Sequence, residues 1–382
     1  MPTPRRILIA PDKFKGTLTA RQACEAMADG VRTAALAVGT PIELDLCPIA
    51  DGGEGTTDIL TSASNGTICH VPSEGPRGEP IQVPVGLLPD DSACFDSAAA
   101  CGLVLVPPER RNPAQTSTRG VGHAIGELLK QGHRHILIGL GGSATIDAGV
   151  GMAAALGWRF STSTGEPIRR PTGADLPRIA RVESPNHQDQ SLFGSIQIHA
   201  ICDVRTELAR AASLFGTQKG ASPSQIDALE LGLAHIQTVL GDSGLESLPG
   251  DGAAGGLGFG IRVFLAGRLV PGAAEVFRRV GLAHRAASAD VVLTGEGRFD
   301  RGSLEGKAVG ELLALCARGP EVLVLAGSLG DSREDLIGLI RNAGLGVAQF
   351  HAIDPSARSS PPSDALRELA QRSAASWLAS NR

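Results

Sequence analysis

Charged side chains accompany glycines in three segments, each of which follows a pattern typical of a strand. The segments are residues 11–17, 50–56 and 294–300. Their carboxylates are candidates for holding Mg²⁺, because this ion takes one or two carboxylates together with phosphate oxygens and waters. Any one segment alone would also suit an ordinary turn. Ligands of open parallel sheets bind beyond the carboxyl ends of the strands, so the series predicts a shared site.

A fourth glycine-rich segment, residues 139–151, follows a strand pattern and leads into a helical one. A turn of this kind exposes backbone N–H groups at the positive end of a helix, which favours phosphate binding. The alternative is tight helix–sheet packing, which also needs small residues. Its start, Gly139-x-Gly141-x-x-Ala144, fits a relaxed dinucleotide-binding fingerprint as well.

Several other catalytic signatures are absent from the sequence. The nearest approach to a P-loop, residues 302–308, is one residue short and lacks the hydroxyl that binds the metal. Protein-kinase H-R-D and D-F-G segments and the G-x-S-x-G elbow of hydrolases do not occur. Asp203 follows a strand pattern at 196–201, where a carboxylate alone more often serves as a cap or turn former.

Strand patterns alternate with helical ones, which indicates an α/β fold with a largely parallel sheet. Continuous apolar runs predict strands near residues 7–10, 136–138, 291–293 and 322–325. Apolar residues at helical spacing predict helices over residues 20–38 and 118–131, with a last helix after Pro361-Pro362.

Composition excludes several functional classes. The 382 residues carry a formal charge of −5, and only 3% are aromatic, which argues against a nucleic-acid partner. Seven cysteines, an odd number without C-x-x-C spacing, fit reduced thiols in a cytoplasmic protein better than a disulfide framework. The longest nearly uncharged stretch, 137–158, contains six glycines and is interpreted as strand, loop and buried helix rather than as a membrane span.

The β–loop–α pattern is cleanest at the two ends of the chain. Since chain termini often lie near one another, we expect both ends to form one discontinuous, Rossmann- or flavodoxin-like domain. The predicted boundaries are residues 1–85 and 288–382 for this domain, with a second α/β domain inserted over 86–287. The Gly250–Gly260 cluster has no assignment from the residues alone.

Taken together, the motifs resemble those of the glycerate kinase type I family. The matching segments, in family order, are residues 9–16, 50–56, 102–108 with 111–113, 139–151, 200–203, 215–221, 253–258, and 294–300 with 306–308. Lys13 stands where the family more often has Ser, and Ile146 where Asn is usual. Both differences concern contacts with the substrate rather than the reaction class.

The resemblance implies ATP-dependent phosphorylation of D-glycerate, with 2-phosphoglycerate as the product. It also implies two α/β domains with the active site in the cleft between them. ATP and Mg²⁺ are the expected cofactors, and glycerate is the expected small-molecule substrate. We further expect a cytoplasmic enzyme without nucleic-acid or membrane partners, and a homodimer is a candidate assembly.

Phosphoryl transfer needs positioning and charge neutralisation, and we assign the residues on that basis. The predicted catalytic residues are Lys15, which would neutralise phosphoryl or carboxylate oxygens, and Asp203 or Asp300, either of which could act as general base. The predicted ATP-binding residues are Gly141, Gly142, Ser143, Gly295, Glu296 and Gly297. The predicted glycerate-binding residues are Asp12, Asp51, Gly52 and Gly53. The predicted Mg²⁺ ligands are Asp51, Glu54 and Glu296.

Two other functions are open from the residues alone. The fingerprint at residues 139–144 would suit a hydroxyacid dehydrogenase, and Arg159 about twenty positions on favours NADP over NAD. A non-catalytic sensor of sugar acids or nucleotides would explain the glycine loops, but it would not explain several strand-end carboxylates accompanied by Lys15.

Overall fold

A computed structural model describes residues 3–185, 196–241, 246–346, 349–353 and 361–381. The chain divides into two compact units. The terminal unit comprises Met1–Asp51 and Gly272–Arg382, and the inserted unit comprises Gly52–Pro271. The first boundary therefore lies at residue 51, not at the predicted 85, because residues 52–85 supply a helix and two strands to the inserted unit. The second lies at 271, not at 287.

Fourteen strands follow one another along the described part of the chain. They are β1 Arg5–Ile9, β2 Ile42–Leu46, β3 Thr67–Glu74, β4 Pro80–Leu87, β5 Ser92–Asp96, β6 His135–Gly139, β7 Arg159–Ser161, β8 Pro167–Ile168, β9 Arg181–Glu183, β10 Gln197–Cys202, β11 Arg268–Pro271, β12 Val291–Phe299, β13 Glu321–Leu329 and β14 Gln349–Ala352.

The α-helices connect these strands. They are α1 Ala20–Val38, α2 Thr56–Ala63, α3 Ala98–Cys101, α4 Arg119–Lys130, α5 Val150–Ala155, α6 Ala211–Phe215, α7 Pro223–Leu240, α8 Ala253–Leu265, α9 Gly272–Val280, α10 Leu282–Ala287, α11 Ala308–Leu315, α12 Arg333–Asn342 and α13 Pro362–Ser380. In the part of the chain that the structure describes, none of the helices is long and apolar enough to span a membrane.

The terminal unit contains a fully parallel sheet in the order β14-β13-β12-β1-β2. Helix α1 begins at a Thr19 capping box and ends at Gly39 in the left-handed conformation, which confirms the predicted helix. Buried residues of α1 such as Met27 share a core with Leu366 and Trp377 of the C-terminal helix. Both ends of the chain therefore contribute to one core.

Strand β12 extends further than the sequence predicts. It pairs with β13 from Val291 to Phe299, so residues 294–299 belong to a strand and not to a loop after it. The predicted strand at 322–325 likewise continues to Leu329. Small residues allow this extension, because the backbones of β12, β13 and the loop after β1 approach one another closely there.

The inserted unit contains a mixed sheet in the order β11-β10-β6-β5-β4-β3. Strands β11, β10, β6 and β5 run parallel, whereas β4 and β3 are antiparallel additions at one edge. A small antiparallel sheet, β8-β7-β9, accompanies it. The predicted helix at 118–131 is α4, whose buried Val121, Ile125 and Leu128 join the core of this unit. The fold class is therefore α/β with mostly parallel sheets.

Candidate active site

The loop after β6 presents three consecutive backbone N–H groups without an acceptor. Among the described residues, nothing accepts a hydrogen bond from the N–H of Gly141, Gly142 or Ser143. Gly142 has φ +61°, a left-handed conformation between its neighbours. Successive N–H groups around such a residue can form a concave anion site. We call residues 141–143 the N–H cradle.

The carbonyl and flanking groups of the cradle are hydrogen-bonded within the inserted unit. Leu103 donates its N–H to the Gly142 carbonyl at 2.8 Å, and Ala144 donates to the Cys101 carbonyl at 2.7 Å. The cradle is therefore anchored on both sides while its three N–H groups point to no acceptor in the described structure. Gly142 is exposed and Ser143 is buried, so the loop enters the interior immediately after the cradle.

Two of the predicted segments meet within the inserted unit. A Cβ on Gly139 would lie 2.8 Å from the carbonyl oxygen of Gly52, and one on Gly141 would lie 3.2 Å from the Cα of Gly53. Side chains at either position would push the segments apart. Glycine is needed here for close approach of two backbones, and Gly52 and Gly53 contact the cradle through that approach.

Asp96, at the end of β5, holds the second segment in place. Its carboxylate accepts the N–H of Gly55 at 2.7 Å and both the N–H (3.1 Å) and the hydroxyl (2.9 Å) of Thr57. These are first-turn donors of α2, whose N-cap residue provides no side-chain cap. Sequence reasoning missed Asp96. The available signal was an acidic residue at the end of the apolar run 93–95.

The glycine-rich loop leads into helix α5, as the sequence predicts. Helix α5 begins at Val150, beyond the cradle, and is only six residues long. Asp147 organises the intervening turn: it is fully buried and accepts N–H groups of Thr118 (2.8 Å) and Gly149 (3.1 Å). Burial raises the pKa of Asp147, and these donors oppose that shift. The helix therefore does not begin at the fingerprint residues 139–144, as it would in a dinucleotide-binding turn.

The Gly250–Gly260 cluster packs against this loop. Helix α8 contains a kink at Ala254, Gly255 and Gly256, all of which have positive φ. A Cβ on Gly255 would lie 1.8 Å from the Thr145 carbonyl oxygen, and one on Gly260 would lie 2.7 Å from the Cα of Gly149. The second glycine cluster therefore serves as the packing surface for the first.

Lys219 is a buried cation beneath the cradle, and no sequence pattern assigned it a role. It is 3% exposed, and its ammonium donates to Ser143 Oγ and to the Thr145 carbonyl, both at 2.8 Å. Burial lowers the pKa of Lys219 to about 8, while the nearby Cys101 and Asp147 raise it. Its place in the family-like segment 215–221 was the one available signal.

Glu296 carries an unsatisfied buried oxygen in the terminal unit. Its Oε1 has no hydrogen-bond partner among the described residues. Burial raises the pKa of Glu296 to about 7, with Ser303 and Lys307 opposing the shift and the carboxylates of Asp12 and Asp300 adding to it. A carboxylate oxygen without a donor suits a cation.

Asp12 and Asp51 lie beyond the carboxyl ends of β1 and β2 in the same unit, and both are buried. The Asp12 N–H donates to the Gly295 carbonyl at 2.9 Å, which joins the loop after β1 to β12. Asp51 pairs with Lys13, whose ammonium lies 3.4 Å from its Oδ1. Lys13 thus compensates one of the predicted metal-ligating carboxylates.

The three predicted Mg²⁺ ligands do not form a self-contained metal centre. Glu54 is exposed and lies in the inserted unit, whereas Asp51 and Glu296 lie in the terminal unit. Within the described ranges, no group of three or more His, Cys, Asp or Glu side chains is arranged to hold a metal. A Mg²⁺ ion here would depend on substrate phosphate and water oxygens for most of its ligands.

Gly295 and Gly297 have packing roles in β12. A Cβ on Gly295 would lie 1.8 Å from the Leu325 carbonyl oxygen, and one on Gly297 would lie 2.9 Å from the Lys15 backbone nitrogen. Their absent side chains let β13 and the loop after β1 approach β12. Donation from their N–H groups to ATP stays a prediction.

The three predicted catalytic residues have different surroundings. Lys15 is exposed, in the loop after β1. Asp300 follows β12, caps the short 3₁₀ helix Arg301–Leu304, and lies 3.5 Å from Arg298. Asp203 follows β10 in the inserted unit and is partly exposed.

Comparison with known proteins gives a consistent set of relatives. The model of the glycerate kinase family matches residues 7–375. A glycerate kinase of Halalkalibacterium halodurans is 39% identical over 336 residues, covering 86% of this chain and 87% of the relative. A glycerate 2-kinase of Escherichia coli is 34% identical over 357 residues, covering 91% and 89% of the two chains. A crystal structure assigned to glycerate kinase 2 of Salmonella typhimurium matches with a TM-score of 0.79 and 33% identity, covering 99% of this chain and 100% of that chain.

Proposed function

The chain belongs to the glycerate kinase family, and from this premise we propose that it transfers the γ-phosphoryl group of ATP to the 2-hydroxyl of D-glycerate. The products are ADP and 2-phosphoglycerate. The name of the Escherichia coli relative, glycerate 2-kinase, supports the choice of hydroxyl. Membership of this family makes the protein a small-molecule kinase.

The N–H cradle is the observation that carries the proposal. Three consecutive N–H groups without an acceptor in the described structure suit an anionic partner, because successive backbone donors around a left-handed residue form a concave anion site. The three equatorial oxygens of a transferring phosphoryl group carry the negative charge that such donors stabilise. We assign Gly141, Gly142 and Ser143 to the phosphates of ATP on this basis.

The unsatisfied oxygen of Glu296 fits a bound Mg²⁺. Glu296 would hold the ion, with Asp51 of the same unit as a candidate second ligand. When bound, Mg²⁺ neutralises the charge on the phosphate oxygens of ATP. Orienting the substrate and moving its proton are tasks of the protein's own side chains.

The remaining roles concern glycerate. Lys15 is an exposed cation that can pair with the glycerate carboxylate or with a phosphoryl oxygen. Asp12 is a buried residue of the same loop and would orient a substrate hydroxyl. Asp203 and Asp300 are both candidates for the general base; Asp300 is also the N-cap residue of a 3₁₀ helix.

The decisive experiment is turnover of ATP, Mg²⁺ and D-glycerate, with ADP release and phosphorus NMR of the product as readouts. We expect glycerate-dependent ADP formation and a product phosphorylated at the 2-position. The variants Asp203→Asn and Lys15→Ala should each lose at least about a hundredfold in kcat/KM. Near-wild-type turnover of both variants would refute the assignment of Asp203 and Lys15 to the active site. A product phosphorylated at the 3-position would refute the choice of hydroxyl.

A cytoplasmic location and a homodimeric assembly remain proposals of the same kind. The seven free cysteines support the first, since they form no disulfide in the described structure. Sedimentation of the purified chain would test the second.

A further inference from the structure

The buried ammonium of Lys219 has more donors than its protein contacts use. Lysine carries three N–H donors, and the structure shows two acceptors, Ser143 Oγ and the Thr145 carbonyl, each at 2.8 Å. Since only 3% of Lys219 is exposed, it is a cation held largely away from solvent. A buried charge of this kind is costly unless it is matched by nearby negative charge.

No negatively charged group of the described part of the inserted unit forms an ion pair with Lys219. Cys101 and Asp147 are the titratable groups that act on Lys219. Burial raises the pKa of the Cys101 thiol to about 12, so it is neutral at physiological pH. Asp147 is satisfied by Thr118 and Gly149, and it forms no ion pair with Lys219 within 4.0 Å in the described structure. The surroundings of Lys219 therefore favour an additional anion.

The contacts of Lys219 place its charge directly behind the cradle. It holds the side chain of Ser143, which is the last residue of the cradle, and the carbonyl of Thr145, which follows it. Ser97, whose N–H donates to the Gly139 carbonyl at 2.9 Å, adds a buried hydroxyl without a partner among the described residues.

We propose that Lys219 is a positioning residue for the phosphate of ATP: through Ser143 and Thr145 it fixes the N–H cradle in its anion-binding conformation and places a positive charge behind it. This inference rests on the proposed function for the identity of the anion. Lys219 touches the loop and not the reacting atoms. Its ammonium must therefore be protonated for full effect, which links phosphate binding to a pKa of about 8.

The test compares four variants of the full-length chain: Lys219→Met, Ser143→Ala, the double variant, and the control Lys130→Met. Lys130 is a lysine of α4 with a highly exposed side chain, so its variant matches the change in charge without affecting the loop. Inorganic tripolyphosphate is the binding probe, measured by calorimetry, and kcat/KM for ATP is the second readout. Urea unfolding identifies any variant that fails to fold.

We expect Lys219→Met to weaken tripolyphosphate binding and to lower kcat/KM by about ten- to a hundredfold. Ser143→Ala should weaken tripolyphosphate binding by a smaller factor, about three- to tenfold. The double variant should lie within about threefold of Lys219→Met, because residues that act through one contact are not additive. The alkaline decline of kcat/KM with an apparent pKa near 8 should be present in the wild type and absent from Lys219→Met.

The outcomes separate this inference from the proposed function. Turnover in the wild type with unchanged tripolyphosphate binding in Lys219→Met would overturn the inference and leave the function intact. If Lys219→Met loses tripolyphosphate binding as expected but the wild type shows no glycerate-dependent turnover, the inference is supported and the proposed function is refuted. Strictly additive losses would also overturn it. If Lys219→Met does not fold, unchanged binding by Ser143→Ala together with a flat pH profile in the wild type overturns it.

Discussion

The ammonium of Lys13 lies 3.4 Å from Oδ1 of Asp51, which is a predicted Mg²⁺ ligand. The variant Lys13→Ser should remove this competing cation from Asp51 and lower the half-saturating Mg²⁺ concentration by about two- to fivefold, or roughly 0.4–1 kcal/mol. A magnesium titration of steady-state turnover measures this. Lys130→Ser removes an exposed lysine as the control. An unchanged magnesium dependence would show that Asp51 is not a ligand.

Gly295 tolerates no side chain. A Cβ there would lie 1.8 Å from the Leu325 carbonyl oxygen, so Gly295→Ala should lower the free energy of unfolding by about 3 kcal/mol or more. Gly338→Ala in α12 is the matched control, because nothing lies within 4 Å of the new atom, and it should gain about 0.5–1 kcal/mol. Urea unfolding measures both. A loss below about 1 kcal/mol at Gly295 would contradict the packing role.

The contact between Gly149 and Gly260 should couple stability to ATP binding. Gly260→Ala would place a Cβ 2.7 Å from the Gly149 Cα, and the turn between the cradle and α5 must then shift. We expect a loss of about 1–3 kcal/mol in stability together with weaker ATP binding by calorimetry. Gly126→Ala in α4 is the control, since its nearest neighbour would be an ordinary contact at 3.8 Å. Reduced stability with unaltered ATP affinity would argue against phosphate binding by this loop.

Asp96 should hold the first turn of α2. In Asp96→Asn the negative charge is lost and one N–H acceptor is replaced by a donor, which should cost about 1–2 kcal/mol. Hydrogen exchange of the amides of α2 should become faster, because Asp96 accepts from both Gly55 and Thr57. Asp58→Asn changes an exposed carboxylate in the same turn and should have a smaller effect. Equal exchange rates in the two variants would contradict the cap.

Lys219 should make stability and activity respond in opposite directions to alkali. Its pKa is lowered by burial from 10.5 to about 8, so between these values the unfolded chain binds the proton more strongly than the folded chain. Stability from this group therefore rises with pH from about 8 to 10.5, by on the order of 1–3 kcal/mol. Urea unfolding of the wild type against Lys219→Met, at pH 7 to 10, isolates the effect. A wild type that loses stability relative to Lys219→Met over this range would contradict it.

Local patterns predicted much of the fold. Helix α1 was recoverable because its apolar spacing, its Thr19 cap and its terminal Gly39 agree with one another. The strand at 291–293 was recoverable from its apolar run, but its continuation to Phe299 was not. Glycine and charge at 294–300 are typical of a loop, and only the neighbouring β13 backbone explains why the strand continues.

Parts of the candidate site follow from residue type alone, whereas other parts depend on contacts between residues far apart in the sequence. Backbone N–H groups at 141–143 follow from glycine and position. Asp96 and Lys219 act on segments about 40 and 75 residues away along the chain, and neither lies in a local pattern that indicates its partner. Likewise, the packing role of the Gly250–Gly260 cluster is visible only in the structure, where Gly255 and Gly260 contact the loop at 145–149.

The placement of β1 between β2 and β12 has a consequence for biosynthesis. Strand β2 follows β1 closely, whereas β12 begins only at Val291. On the ribosome, all residues of the inserted unit are translated before β12 emerges, so that unit can fold first. Until then, one edge of β1 keeps backbone N–H and C=O groups without a partner strand. An unpaired strand edge of this kind can recruit chaperones or lead to aggregation. Slowing translation within residues 272–290 should therefore reduce the yield of native chain more than slowing it after β14.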